Sequence, residues 1–198
     1  MKKIVYKVLY VILIIALIIT IALLLNKEHT SRENEKTNQE VLAEFNNLSN
    51  TNNISGLENL TLNGYEVIGK VSIPKINIEY PILNIETSNP EETKTPMKFG
   101  IVKYWGGNVN DYGNLSIAGH NNHNGTMFGK TKNLEIDDIV ELTDLTNRTI
   151  QYKIYEIFVT DSNDVSILQT EDESVREVTL ITCTNGNKER LILKAREF

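Results

Sequence analysis

Eighteen consecutive residues without a charge, Val8 to Leu25 (VLYVILIIALIITIALLL), constrain this chain more than any other feature. Counted from Ile4 the apolar stretch is 22 residues. At ~1.5 Å per residue that is about 33 Å of helix, enough to cross the hydrocarbon core of a bilayer. Lys2, Lys3 and Lys7 precede or enter it, and the long segment behind it is acidic. The positive-inside rule therefore predicts a cytoplasmic N-terminus with everything after the span outside. A cleavable signal peptide would have a shorter apolar core ending in a small-x-small site, whereas this one runs through Leu23, Leu24 and Leu25 into Asn26. Residues 1–25 are predicted to be an uncleaved transmembrane anchor with its cytoplasmic tip.

Charge narrows the partners of the remainder. The chain has a net charge of -6; setting Lys2, Lys3 and Lys7 aside leaves 17 basic against 26 acidic residues, a net of -9. A surface with that balance argues against nucleic acid, whose phosphates require a basic face. Residues 26–63 are rich in Asn, Thr, Ser and Glu, with ten asparagines between Asn26 and Asn63. Such a composition buries little apolar area, so a polar, flexible stalk is expected. Within it Val41, Leu42, Phe45 and Leu48 fall on one helical face, the pattern of a short helix that packs on a domain edge or forms only weakly.

From residue 64 onward the texture is β. VIGKVSI (67–73) and INIEYPIL (76–83) are rich in β-branched residues and punctuated by Pro74 and Pro81. Further strands are predicted over 115–118, 139–142, 149–160, 178–182 and 191–195. In the fifth of these seven, Ile150, Tyr152, Ile154 and Ile157 oppose Gln151, Lys153 and Glu156. Helix signals are confined to a segment near Asn89 to Lys94 and a turn near Thr126 to Lys130. Many short strands with few short helices predict an all-β fold, a small β-barrel rather than an α/β sheet, over 64–198 and preceded by the transmembrane helix.

Two strand ends carry the chemistry. LSIAGH (115–120) finishes in Gly119 and His120, and TLITC (179–183) finishes in Cys183, the only cysteine. A lone thiol has no intramolecular disulfide partner; it is either a small packed hydrophobe or a group kept for its reactivity. Arg190 follows after a Thr-Asn-Gly-Asn turn, and a hairpin there would return it beside Cys183. Together the three make a chemical unit. A thiolate is a nucleophile favoured by nearby positive charge, an imidazolium can protonate a departing amine, and a guanidinium can donate to an oxyanion. His123 lies near the same turn, but His120 directly follows the strand end. Arg148, Arg176 and Arg196 are the rivals of Arg190.

LSIAGH, TLITC and the Arg that follows closely resemble the signature segments of the sortase family, and the order anchor, stalk, β-domain, His, Cys, Arg matches as well. The resemblance covers about residues 65–198. It implies a closed eight-stranded β-barrel and a cysteine transpeptidase. Such an enzyme cleaves a C-terminal Leu-Pro-x-Thr-Gly-like (LPxTG-like) sorting signal between Thr and Gly. It then passes the acyl group to an amine of a peptidoglycan precursor, which anchors surface proteins outside the membrane. By motif, Cys183 is the nucleophile, His120 the general acid/base and Arg190 the oxyanion or substrate-orienting residue. Ala118, Thr179, Ile181 and Thr182 match the strands that line the sorting-signal groove. No cofactor and no metal is implied. Asp111 stands alone where some class A members carry a calcium-binding acid cluster, and Asp164, Glu171, Asp172 and Glu173 read as a solvated acidic loop. The short 160–177 stretch lacks the helix of class B, and no lid with an Asp-Pro-aromatic motif marks class C, so the pattern is that of class D or a compact class A.

Three other functions share parts of this pattern. A papain-like peptidase places Cys before His, whereas here His comes 63 residues earlier. An L,D-transpeptidase carries Ser-His-Gly-Cys around its thiol, where this chain has Leu-Ile-Thr-Cys. A non-catalytic, membrane-tethered β-domain for surface assembly would keep Cys183 buried and inert.

Overall fold

A computed structural model describes residues 2–85, 90–170 and 172–198. It divides into two compact units, Met1–Lys36 and Thr37–Phe198. The first consists of the leading part of helix α1 (Lys2–Asn50). Its side chains from Val8 to Leu25 are exposed and, Thr20 apart, apolar on every side, and the stretch reaches a mean hydropathy of 3.3. A helix apolar all round belongs in lipid or in a core. This one is long and apolar enough to cross a bilayer.

The second unit is a closed β-barrel. Its elements are the end of α1, α2 (Ile54–Glu58), β1 (Thr61–Leu62), β2 (Tyr65–Ile73), β3 (Ile78–Leu83), α3 (Pro90–Thr93), β4 (Ile101–Trp105), β5 (Gly113–Ala118), β6 (Ile139–Asp144), β7 (Thr149–Asp161), β8 (Arg176–Thr184) and β9 (Glu189–Glu197). The strands run in the order β1-β2-β3-β4-β5-β8-β9-β7-β6, and β2 also pairs with β6. That last ladder, Gly69↔Asp144 to Ser72↔Glu141, closes eight strands into a ring and leaves β1 as a two-residue appendage on β2. Gly69 makes the closure possible: its φ is +154°, and a Cβ there would lie 2.5 Å from the Thr143 carbonyl oxygen. The eight-stranded barrel expected from the sequence is therefore the fold observed.

Alternation along the strands builds two apolar layers. Val71, Ile117, Leu142, Ile154, Val178, Leu180 and Leu193 fill the barrel interior, plugged by Phe128. Ala118, Ile181 and Ile192 face outward and join Val41, Phe45, Leu57, Leu62, Val102 and Ile167. Both faces of β5 are covered: Leu115 and Ile117 point into the barrel, while Asn114 and Ser116 are buried on the other face, where Asn114 Nδ2 donates to Ser116 Oγ at 3.3 Å. In β7 a bulge between Ile154 and Glu156 resets the phase, which is why Ile157 returns to the core side.

Several boundaries differ from those read in the sequence. β3 begins at Ile78 because Pro74–Ile76 form a 3₁₀ turn and Asn77 adopts φ 51°. β4 was not foreseen: Gly100 and Gly106-Gly107 frame it, but its five residues are too few to show a clear alternation. Asn89 lies outside the described residues, and α3 begins directly after it. The compact unit starts at Thr37, well before residue 64, so the segment expected to be a flexible stalk is helical and its later part is packed. The stripe identified above explains this: Val41, Leu42 and Phe45 are buried. Lys70 Nζ donates to Asn46 Oδ1 at 2.6 Å, and Asn147 Nδ2 to the Ser49 carbonyl at 3.0 Å, fixing the end of α1 to the barrel. Burying a side chain the size of Phe45 contributes about 2–3 kcal/mol, which offsets the polar composition around it.

Candidate active site

One end of the barrel gathers the three residues singled out in the sequence. In the antiparallel β8–β9 ladder Cys183 and Arg190 are Cα partners. Directly opposed residues share a face of the sheet, with Cβ atoms about 5 Å apart. The parallel β5–β8 ladder ends at Ala118↔Ile181, and the Gly119 N–H then donates to the Ile181 carbonyl at 3.1 Å. The Thr182 hydroxyl returns a bond to the Gly119 carbonyl at 2.8 Å. These bonds carry His120 out of the sheet beside the last residues of β8. A side chain at position 119 has no room there, since a Cβ would lie 3.0 Å from Phe128 and 3.2 Å from Ile101. The Phe128 N–H holds the His120 carbonyl at 3.0 Å from the other side.

One tether was not foreseen. Asn121 Nδ2 donates to the Cys183 carbonyl at 2.7 Å, joining the residue after the imidazole to the thiol-bearing residue itself. Only the string AGHN hints at it in the sequence, and no spacing rule would have singled it out.

Electrostatics separates Arg190 from its rivals. Arg148 is paired with Asp144 at 2.9 Å, Arg176 with Glu197 at 2.9 Å and Arg196 with Glu177 at 2.6 Å, all at the opposite barrel end. Arg190 donates through Nη1 to the Asn187 and Glu189 carbonyls, both at 3.1 Å, and among the described residues no carboxylate pairs with it. Its charge is thus held at the rim without being neutralised. Cys183 and His120 are half-buried, and burial pushes the imidazole below its ordinary value of 6.5. A neutral imidazole at pH 7 is a competent proton acceptor. His123 is exposed on the loop, and His29 pairs with Glu33 in the first unit at 3.5 Å.

Ala118, Thr179, Ile181 and Thr182 sit beside this site but are 5%, 1%, 7% and 2% exposed. The two threonines use their hydroxyls internally: Thr182 on Gly119, and Thr179 on Asn114 Oδ1 at 2.9 Å. Asn114 in turn donates to the Leu168 carbonyl at 3.1 Å, while Lys194 Nζ donates to the Gln169 carbonyl at 3.2 Å. The loop between β7 and β8 is thereby fastened to the outer face of the barrel, and its Ile167 shares the apolar cluster of Ala118 and Ile181. In that loop Asp164 caps Ser166 and Thr160, and Asp172 caps Ser174. Glu171 lies outside the described residues. Among the described residues no three His, Cys, Asp or Glu side chains converge as a metal site.

Known proteins resemble this chain in sequence and fold. The family model described as a sortase domain matches residues 71–198. Sortase A of Bacillus anthracis is 29% identical over 146 residues, covering 71% of this chain and 64% of its own length. A Clostridium perfringens sortase D5 transpeptidase superposes with a TM-score of 0.65 at 28% identity, covering 82% of this chain and 99% of that one. Sortase A of Corynebacterium diphtheriae, a lid mutant, shares the fold with a TM-score of 0.59 at 23% identity, over 86% and 92% of the two chains.

Proposed function

Because this chain belongs to the sortase family, we propose that it is a membrane-anchored cysteine transpeptidase that attaches surface proteins to cell-wall material outside the membrane. The observation that carries the reading is the strand register at the rim. Cys183 and Arg190 are direct cross-strand partners, and the residue after His120 is bonded to the Cys183 carbonyl.

The chemistry follows from those three groups. His120, neutral at rest, takes the proton of the Cys183 thiol, and the thiolate attacks the carbonyl carbon of the Thr residue in an LPxTG-like signal. The Arg190 guanidinium donates to the oxyanion that forms. Collapse of this intermediate breaks the Thr–Gly bond, with the His120 imidazolium delivering its proton to the departing amine. A thioester on Cys183 remains. An amine of a peptidoglycan precursor attacks it, passes its proton through His120, and leaves a new amide and a free thiol. Ala118 and Ile181 would meet the apolar residues of the signal once it parts them from Ile167, with Thr179 and Thr182 supporting them from the same strand. The chain requires no cofactor for any of these steps.

The lysines ahead of the span and the acidic chain behind it support a cytoplasmic N-terminus and an extracellular barrel. On the division of labour along the chain, residues 1–25 anchor, the segment to 63 spaces and braces, and 64–198 catalyse. The short β7–β8 connection and the coverage of the D5 relative support class D over compact class A.

Screening the full chain in detergent against a sorting-pentapeptide library, with an amine acceptor present and products read by mass spectrometry, tests the proposal. Cleavage and amine transfer are both expected, and Cys183→Ala should abolish both. Substantial turnover by that variant would remove Cys183 from the mechanism.

A further inference from the structure

A cleft of about 770 Å³ opens on the barrel away from the thiol, between the end of β4, the start of β5 and the β7–β8 loop. Tyr104, Trp105 and Tyr112 supply three aromatic rings, Leu168 an apolar wall and Glu173 a carboxylate. Trp105 is 48% and Tyr112 60% exposed. Gly113 leaves the space that the carboxylate occupies, since a Cβ at that position would lie 2.6 Å from Glu173 Oε2. Among the described residues no ion pair or hydrogen bond engages the Glu173 side chain. Arg176 stacks its guanidinium 3.8 Å from the Tyr112 ring centre, but that charge is matched by Glu197. Of the residues that line the cleft Glu173 alone is charged, and rings with a free carboxylate favour a cation.

The sheet register converts the position of this cleft into peptide residues. Trp105 is level with Ser116, Ser116 with Thr179, and Gly113 with Arg176. Thr179 and Arg176 precede Cys183 by four and seven residues on β8. At ~3.3 Å per residue these levels are about 13 and 23 Å from the thiol-bearing position. An extended acyl donor has a similar rise, and the pentapeptide signal extends only three residues upstream of its acyl residue, about 10 Å. The cleft therefore lies beyond the pentapeptide.

We propose that the cleft bounded by Trp105, Tyr112 and Glu173 binds a lysine or arginine side chain four to seven residues upstream of the acyl residue, a specificity subsite outside the sorting pentapeptide. The inference rests on the sorting-signal reading above, and the test separates the two. Trp105 is the only tryptophan, so its emission reports occupancy of the cleft independently of catalysis. Peptides carrying the screened pentapeptide and Lys, Ala or Glu five residues upstream of its Thr are titrated into the full chain in a non-ionic detergent. Turnover and Trp105 emission are both recorded. A saturable emission change with the Lys peptide is expected, together with a KM about five- to tenfold lower than for the Ala and Glu peptides. In Glu173→Gln the KM ratio should collapse towards one. Turnover with equal KM for all three flanks and no emission change would overturn the subsite while sparing the transpeptidase reading. A Lys-dependent emission change without cleavage of any peptide would sink the transpeptidase reading and leave the cation site standing. Absence of both signals removes both.

Discussion

Replacing Asn110 by alanine should weaken the barrel by about 3–6 kcal/mol, although the residue is remote from the thiol. Asn110 is 1% exposed with φ 67° at the end of the barrel opposite Cys183. Its Nδ2 donates to the Leu142 carbonyl, Asp144 Oδ2 and the Arg148 carbonyl at 3.2, 3.1 and 2.9 Å, and its Oδ1 accepts from the Tyr152 hydroxyl at 3.0 Å. Truncation leaves the Tyr152 hydroxyl, in a residue 1% exposed, without that acceptor, a cost of about 1–3 kcal/mol. Loss of the bond to the Asp144 carboxylate adds about 1–2 kcal/mol. Holding alanine rather than asparagine in the left-handed region adds about 1 kcal/mol more. The assay is urea unfolding of the full chain in detergent, followed by Trp105 emission. Two further variants divide the total. Asn110→Gly frees the backbone and should recover about 1 kcal/mol relative to alanine. Adding Tyr152→Phe to Asn110→Ala removes the stranded hydroxyl and should recover about 1–2 kcal/mol. A loss below about 1 kcal/mol in the alanine variant, or no recovery on removing the hydroxyl, would refute the idea that this network closes the barrel end.

Three other outcomes are expected. Arg190→Lys keeps the charge but loses the planar donor fork, so turnover of a sorting peptide should fall on the order of 10²-fold; near-normal kcat would take Arg190 out of the proposed site. Gly119→Ala forces a methyl against Phe128 and Ile101, costing about 1–3 kcal/mol and displacing His120, which predicts at least a tenfold drop in kcat at an unfolding midpoint still above room temperature. Stability should also decline in acid. Burial alone would raise the Glu177 carboxyl, but hydrogen bonds from Thr170, Arg196 and Tyr155 outweigh it and hold the group below its ordinary 4.5. Asp144 is held below 3.8 by Thr146, Asn110 and Arg148 in the same contest with burial. Both carboxyls have folded values beneath the unfolded ones, so their stabilisation is present above about pH 4.5 and is lost as pH falls through the folded values. His120, lowered by burial, acts with the same sign beneath pH 6.5, where the unfolded chain takes up the proton first. Glu177→Gln should flatten the acid limb of a urea-midpoint-against-pH curve, and an unchanged slope would show that Glu177 contributes nothing to it.

How much of this was legible beforehand varies with the range of the interaction. The strands around Val67, Leu115, Ile150 and Val178 were readable because β-branched runs and turn residues act over a few neighbours. Val41, Leu42 and Phe45 were visible as a helical stripe, yet the sequence could not say that a barrel surface awaited them, so the surrounding polar composition pointed to a flexible stalk. Ile101–Trp105 was missed because five residues, even framed by Gly100 and Gly106, are too few to show a period, and their pairing with β3 and β5 makes them strand.

The sequence by itself determined the membrane-length apolar run, the β character of the rest, and the strings ending in His120 and Cys183, since each is a property of adjacent residues. Only the tertiary structure decided that Arg148, Arg176 and Arg196 are neutralised while Arg190 is not, that Asn121 holds the Cys183 carbonyl, and that Glu173 lies over Gly113 in an aromatic cleft. Those facts depend on pairings between strands far apart in the chain. Closing a sheet into a ring fixes such pairings through register, a long-range geometric condition that no local run of residues encodes.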